Sequence, residues 1–162
     1  MSEANVVGTN VVDTNVVNGS PVGAVAIAAA ATSESLFGEV IYSYTRKQAI
    51  EDGVLVDVSS MAKEAGFKFP VALTSAVYED CVVWGDEDNK RQTHQDVDGR
   101  LWDVLWMASL AARSGGREIR FSLYRVPRGG RGHVARLVTL KAICGPGDDA
   151  EPVVTVMQET ED

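Results

Sequence analysis

Two periods of apolar residues run along this chain. Leu101, Trp102, Leu105, Trp106, Ala108, Ser109 and Ala112 recur at helical spacing. That spacing predicts a helix from Val97 or Gly99 to Arg113, ended by Gly115-Gly116. With Val104, Met107 and Leu110 added, the apolar surface nearly circles the helix, which predicts a place at the centre of the core. From Glu118 to Tyr124 the period drops to two, so Ile119, Phe121 and Leu123 face inward on a half-buried strand. A second strand follows over Ala135–Ile143 and a third over Val153–Met157, with glycine-rich turns at 127–133 and 145–149. Three antiparallel strands packed on the long helix make a stable unit.

Shorter elements precede these. Val40-Ile41-Tyr42-Ser43-Tyr44 is β-branched and aromatic, an extended segment. Thr45 caps a helix over Arg46–Glu51, and Gly53 stops it. Val54–Val58 reads as strand, and Ser59 or Ser60 caps a helix over Met61–Ala65 that Gly66 ends. Phe67–Pro70 is extended, because Pro70 disfavours helix in the residue before it. Thr74 or Ser75 starts a helix through Val83, and Gly85–Lys90 reads as a polar loop. The fold class is α+β: short N-terminal helices and one long buried helix on a C-terminal three-stranded antiparallel sheet.

The first 36 residues differ. Asn5-Val6-Val7, Asn10-Val11-Val12 and Asn15-Val16-Val17 repeat at a period of five, too short for a solenoid unit, and an alanine-rich stretch follows. Residues 1–36 therefore read as a disordered low-complexity tail, and residues 37–162 as a single domain. Residues 23–31 are apolar, but no Lys or Arg comes before Arg46 and the run is too short for a membrane span. The expected location is the cytoplasm, without membrane contact.

Composition narrows the function less than the layout. The chain has 162 residues, a net charge of −8 and a pI near 4.7, which argues against a uniformly basic nucleic-acid binder. Two cysteines, Cys81 and Cys144, sit in apolar runs and read as small buried hydrophobes, although the sequence leaves a bond between them open. His94, Asp96, Asp98 and Asp103 cluster at the start of the long helix. His94 and Asp98 have metal-ligand spacing, but Asp96 and Asp98 are better read as helix caps. No nucleophile elbow, Walker loop or dinucleotide motif occurs, so no catalytic residue, metal site or cofactor is assigned.

The distribution of charge is more informative. Arg113 to Arg136 holds seven arginines and one acid, Glu118, for a segment charge of +6. Cys144 to Asp162 holds six acids and no Lys or Arg, for −6. One reading has neighbouring strands exchanging salt bridges. The sharper one makes Arg120, Arg125, Arg128, Arg131 and Arg136 a binding surface for phosphate or an acidic partner. Trp84, Trp102, Trp106 and Tyr78 read as core or interface packing, with a homodimer contact as one use of the helix surface.

Several strings together resemble a family of small proteins of unknown function found in bacterial chromosomes, plasmids and phages. They are Ile41 to Val58 (IYSYTRKQAIEDGVLVDV), Glu64 to Phe67, Pro70 to Thr74, Asp98 to Met107 (DGRLWDVLWM) and Leu137 to Lys141. The resemblance spans about Phe37 to Asp162 and excludes the repeat tail. It carries no functional residues over. It implies an accessory role on mobile elements, including inhibition of host defence systems such as CRISPR effectors. Three functions are therefore expected, in this order. The first is a non-enzymatic protein that binds a protein or a protein–nucleic-acid complex. The second is a nucleic-acid-binding regulator using the arginine hairpin. The third is a small metal-dependent enzyme with an acidic site near His94–Asp103.

Overall fold

The computed structural model describes residues 44–161. The expected strand at Val40–Tyr44 and the repeat tail lie outside the described residues, Tyr44 excepted. The chain builds α1 (Arg46–Glu51), β1 (Leu55–Asp57), α2 (Ser59–Glu64), β2 (Val71–Thr74) and α3 (Ser75–Val77), which runs on into a π-helical turn over Tyr78–Val82. Then come α4 (Asp86–Arg91), α5 (Val97–Ala112), β3 (Glu118–Arg125), β4 (Arg136–Pro146) and β5 (Pro152–Gln158).

Local chemistry sets several of these boundaries. Thr45 and Gln48 form a reciprocal capping box on α1, each side chain taking up a backbone N–H of the other. Asp148, in the turn before β5, also accepts from the first two amides of α1 at 2.7 and 2.9 Å. The end of α2 is closed by Gly66 at φ 98°, a left-handed conformation that glycine enters without a Cβ penalty. Its N-cap is Val58 and not a serine. The Ser59 hydroxyl instead bonds Asp57 and the backbone of Val71, stitching α2 to the start of β2.

The sheet corrects the expected one. It is mixed and five-stranded, in the order β1-β2-β5-β4-β3, where three antiparallel strands were expected. β4 is antiparallel to both β3 and β5, as expected, but β5 also pairs in parallel with β2 through Val71↔Val154 and Leu73↔Val156. Val71-Ala72-Leu73-Thr74 is a central strand buried on both faces, so it shows no alternation. Three apolar residues and a threonine without a period are indistinguishable from the start of the helix that follows them.

α5 packs across one face of the sheet. Leu101, Val104, Leu105 and Ala108 meet Phe121, Leu123, Leu140 and Val156 in one core cluster, together with Val71, Leu73, Val77 and Val82. Only about half of its circumference is buried, however. Trp102, Trp106 and Leu110 point to solvent, which corrects the expectation of a helix enclosed on all sides.

Candidate functional site

The five arginines singled out in the sequence do not converge on one surface. In the β3–β4 ladder Ile119, Phe121 and Leu123 face α5, so Arg125 and its cross-strand partner Arg136 lie on that side as well. Arg120 lies on the opposite side, where it bonds Glu118 at 3.0 Å and Glu159 at 3.7 Å. Arg128 and Arg131 belong to the connecting loop. Among the described residues, Arg120–Glu159 is the one ion pair that joins the +6 segment to the −6 segment.

The other partners come from the helical middle of the chain. Arg125 donates from Nε and Nη2 to one oxygen of Asp80, at 3.0 and 2.7 Å, in a half-buried setting. That pair offsets the repulsion between Arg125 and Arg136, which stand directly opposite each other in the ladder. Arg128 reaches Glu79 at 3.1 Å and Asp88 at 3.1 Å. Among the described residues Arg131 and Arg136 make no ion pair.

Asp88 sits on α4, where the sequence suggested a loop. Three acids in its first turn and Lys90-Arg91 in its last complement the helix dipole, and the Asp88 carboxylate caps the helix by accepting from the amide of Gly85. The same carboxylate accepts from Arg128 and from the amide of Gly129. Desolvation works against its charge, but these donors outweigh it and hold its pKa below the ordinary value. One turn later Gln92 donates to the carbonyls of Pro127 and Gly132 at 3.0 and 2.6 Å. The glycine-rich loop is thus fixed at both ends by α4.

Beneath it lies a buried charge that no local pattern in the sequence marks. Arg100, on the buried side of α5, donates to the backbone carbonyls of Val82, Asp80 and Val126 and to the side chain of Gln95. Its guanidinium also lies 4.6 Å from the ring centre of buried Trp84. Burial lowers its pKa from the ordinary arginine value. Arg100 ties together α5, the π-helical turn and the end of β3. The π-turn supplies two of the three carbonyls, and such turns recur at functional sites.

Two other candidates resolve more simply. Among the described residues no group of three or more His, Cys, Asp or Glu is placed to hold a metal ion. Asp96 caps α5 by accepting from the amide of Gly99 at 2.7 Å. Cys81 and Cys144 are both free thiols. Burial, with Asp80 beside it, pushes the Cys81 thiol up to about 11, which leaves it inert at neutral pH.

The open side of α5 leaves a line of large apolar side chains uncovered. Trp102 and Trp106, one turn apart, stack with ring centres 5.9 Å apart and planes 15° from parallel. They are 37% and 41% exposed, and Leu110 continues the line one turn on. Tyr124 and Leu137, cross-strand neighbours on the sheet face away from α5, are also exposed.

The described residues define a mixed α+β protein with a polar lock at one end of its sheet and an uncovered aromatic line on its long helix. The chain belongs to the family of unknown function DUF6573, whose family model matches residues 35–162. No curated protein and no solved structure matches it. Among the described residues no helix is long and apolar enough to cross a membrane.

Proposed function

We propose that this protein is a non-enzymatic accessory protein of a mobile genetic element and that it acts by docking another protein on the open face of α5. The stacked pair Trp102–Trp106 carries the reading. Tryptophan is the residue type most enriched where protein interfaces gain their energy, and two adjacent rings left in water cost solvation that a partner would recover. Asp98 and Asp103 flank the pair, and the chain carries −8 overall. Both favour a basic partner surface, of the sort that handles nucleic acid. Inhibition of a host defence complex such as a CRISPR effector is the most concrete form of this function.

A pull-down with the full chain and with Trp102→Ala plus Trp106→Ala tests it. The wild-type chain is expected to recover a stoichiometric protein partner and the double variant to lose it. Retention of the same partner by the double variant would sink the proposal.

A second reading, nucleic-acid binding by the hairpin, has its own support. Arg131 and Arg136 are exposed and make no ion pair with a described residue, which leaves both charges open to a phosphate backbone. Under this reading Arg131→Ala plus Arg136→Ala weakens binding and lowers its salt dependence by about one log unit per contact removed. That pair spares the Arg128 anchor. Binding indifferent to salt would reject the reading.

A further inference from the structure

A concave region lies apart from the α5 tryptophans and the β3–β4 loop. The segment after α2, Phe67-Lys68-Phe69, forms the wall shared by two adjoining hollows. One, of about 540 Å³, is closed by the C-terminal end of α5 at Ala112 and Arg113 and floored by Cys144 and Val154. The other, of about 520 Å³, extends toward Ser59, Lys63 and Pro70. Either is within the size range of small-molecule sites. None of the α5 tryptophans and none of the five hairpin arginines lines them.

The lining is one-sided in charge. Lys63, Lys68 and Arg113 are cationic, and among the described residues no acidic side chain lines either hollow. None of the three makes an ion pair with a described residue. In a chain of net charge −8, two such cations on each hollow, Lys68 with Arg113 on the first and Lys68 with Lys63 on the second, stand against the overall balance. The C-terminal ends of α2 and α5 border the region and bring roughly half a negative charge each. The two formal positive charges on the first hollow, Lys68 and Arg113, exceed that, so the local field favours an anion.

The apolar part of the lining is aromatic. Phe67 is half-buried against the core, while Phe69 is 44% exposed beside the cavity. Gly66 and Gly116, both at positive φ, line the hollow without side chains and keep it open. Flat ring faces next to unpaired cations match a ligand that carries a planar ring and an anionic group.

We infer that the hollow between α2, the Phe67–Phe69 segment and the end of α5 binds a small aromatic anion, with Phe69 against its ring and Lys68 and Arg113 on its charged group. A nucleoside monophosphate and an aromatic carboxylate share this chemistry.

Titration calorimetry of the full chain with AMP, with indole-3-acetate and with inorganic phosphate tests the site. At least one aromatic anion is expected to bind with Kd below about 1 mM. Phe69→Ala should weaken it about tenfold, the scale of one ring-stacking contact. Lys68→Glu plus Arg113→Glu should abolish it. AMP binding alone identifies a nucleotide site and indole-3-acetate binding alone a carboxylate site. Phosphate should bind at least about tenfold more weakly than either. A measurement on the unaltered chain guards against misfolded variants: the bound ligand should slow alkylation of Cys144 in the cavity wall. The inference is overturned if neither aromatic anion binds, if phosphate binds as tightly, if binding survives the substitutions, or if the Cys144 rate does not change under saturation.

Discussion

The middle and the N-terminal end of α5 are held by different physics. Along its middle, Leu101, Val104, Leu105 and Ala108 meet the sheet through apolar contact alone. At its N-terminal end, Arg100 is buried and is held by backbone carbonyls, with Asp80–Arg125 and Asp88–Arg128 arranged around it. Apolar contact is non-directional, so it fixes which face of the helix is buried but tolerates small shifts. The polar lock is directional. Each donor has one geometry, and an orphaned group is expensive. The molecule uses the first kind of contact for stability and the second to hold the loop between β3 and β4 in one place.

That contrast can be broken from either side. The largest effect is expected in the apolar half: Leu105→Ala, at a fully buried position, should lower the unfolding free energy by about 2–5 kcal/mol in urea denaturation. Arg100→Met keeps much of the volume but strands the carbonyls of Asp80, Val82 and Val126. Its expected cost is about 2–3 kcal/mol by the same measurement, and a neutral outcome would mean that those carbonyls find other donors. Asp80→Ala leaves Arg125 without its partner opposite Arg136. Because that pair is partly solvated, a smaller loss of about 1–2 kcal/mol is expected.

A pH titration separates the lock from the core. The folded pKa of Asp88 lies below its ordinary value, so the unfolded state binds the proton more tightly. Its contribution is complete above the ordinary aspartate value near about 3.9 and is lost as pH falls through the lowered folded value. Amide exchange of Gly129 should therefore quicken, relative to amides of α5, as acid is added through that window. Equal acceleration of both would show that the loop is not held by Asp88. The smallest change in stability belongs to Trp106→Ala, under about 1 kcal/mol, because the side chain stacks on Trp102 at an exposed face. Loss of partner capture without loss of stability is the outcome expected of a docking residue.

Much of the fold was legible locally. The caps at Thr45, Thr74 and Asp96, the stops at Gly53 and Gly66, and the alternation over Glu118–Tyr124 all name elements that form. The helix at Asp86–Arg91 carried a readable signal in its ordered charges, acids first and bases last, but its lack of apolar residues made it look like a loop. The candidate site was less legible. Seven arginines in one segment pointed to a shared surface, yet the alternation of strand side chains sends Arg120 to one face and Arg125 and Arg136 to the other. The acids that neutralise Arg125 and Arg128 lie 40 to 49 residues earlier in the chain.

The sequence by itself determined the bounds of α1 and α5, the inward face of β3, and that the chain is α+β, because caps, glycine stops and apolar periods act over a few residues. Tertiary structure alone decided that Val71–Thr74 is a central strand, that it runs parallel to β5, that Arg100 is buried, and that Trp102 and Trp106 face water. Each of these depends on contacts between segments far apart in the chain. A four-residue strand with three adjacent apolar positions has no period to announce its partner, and a helix with apolar residues nearly all round has no preferred face until the sheet covers one side.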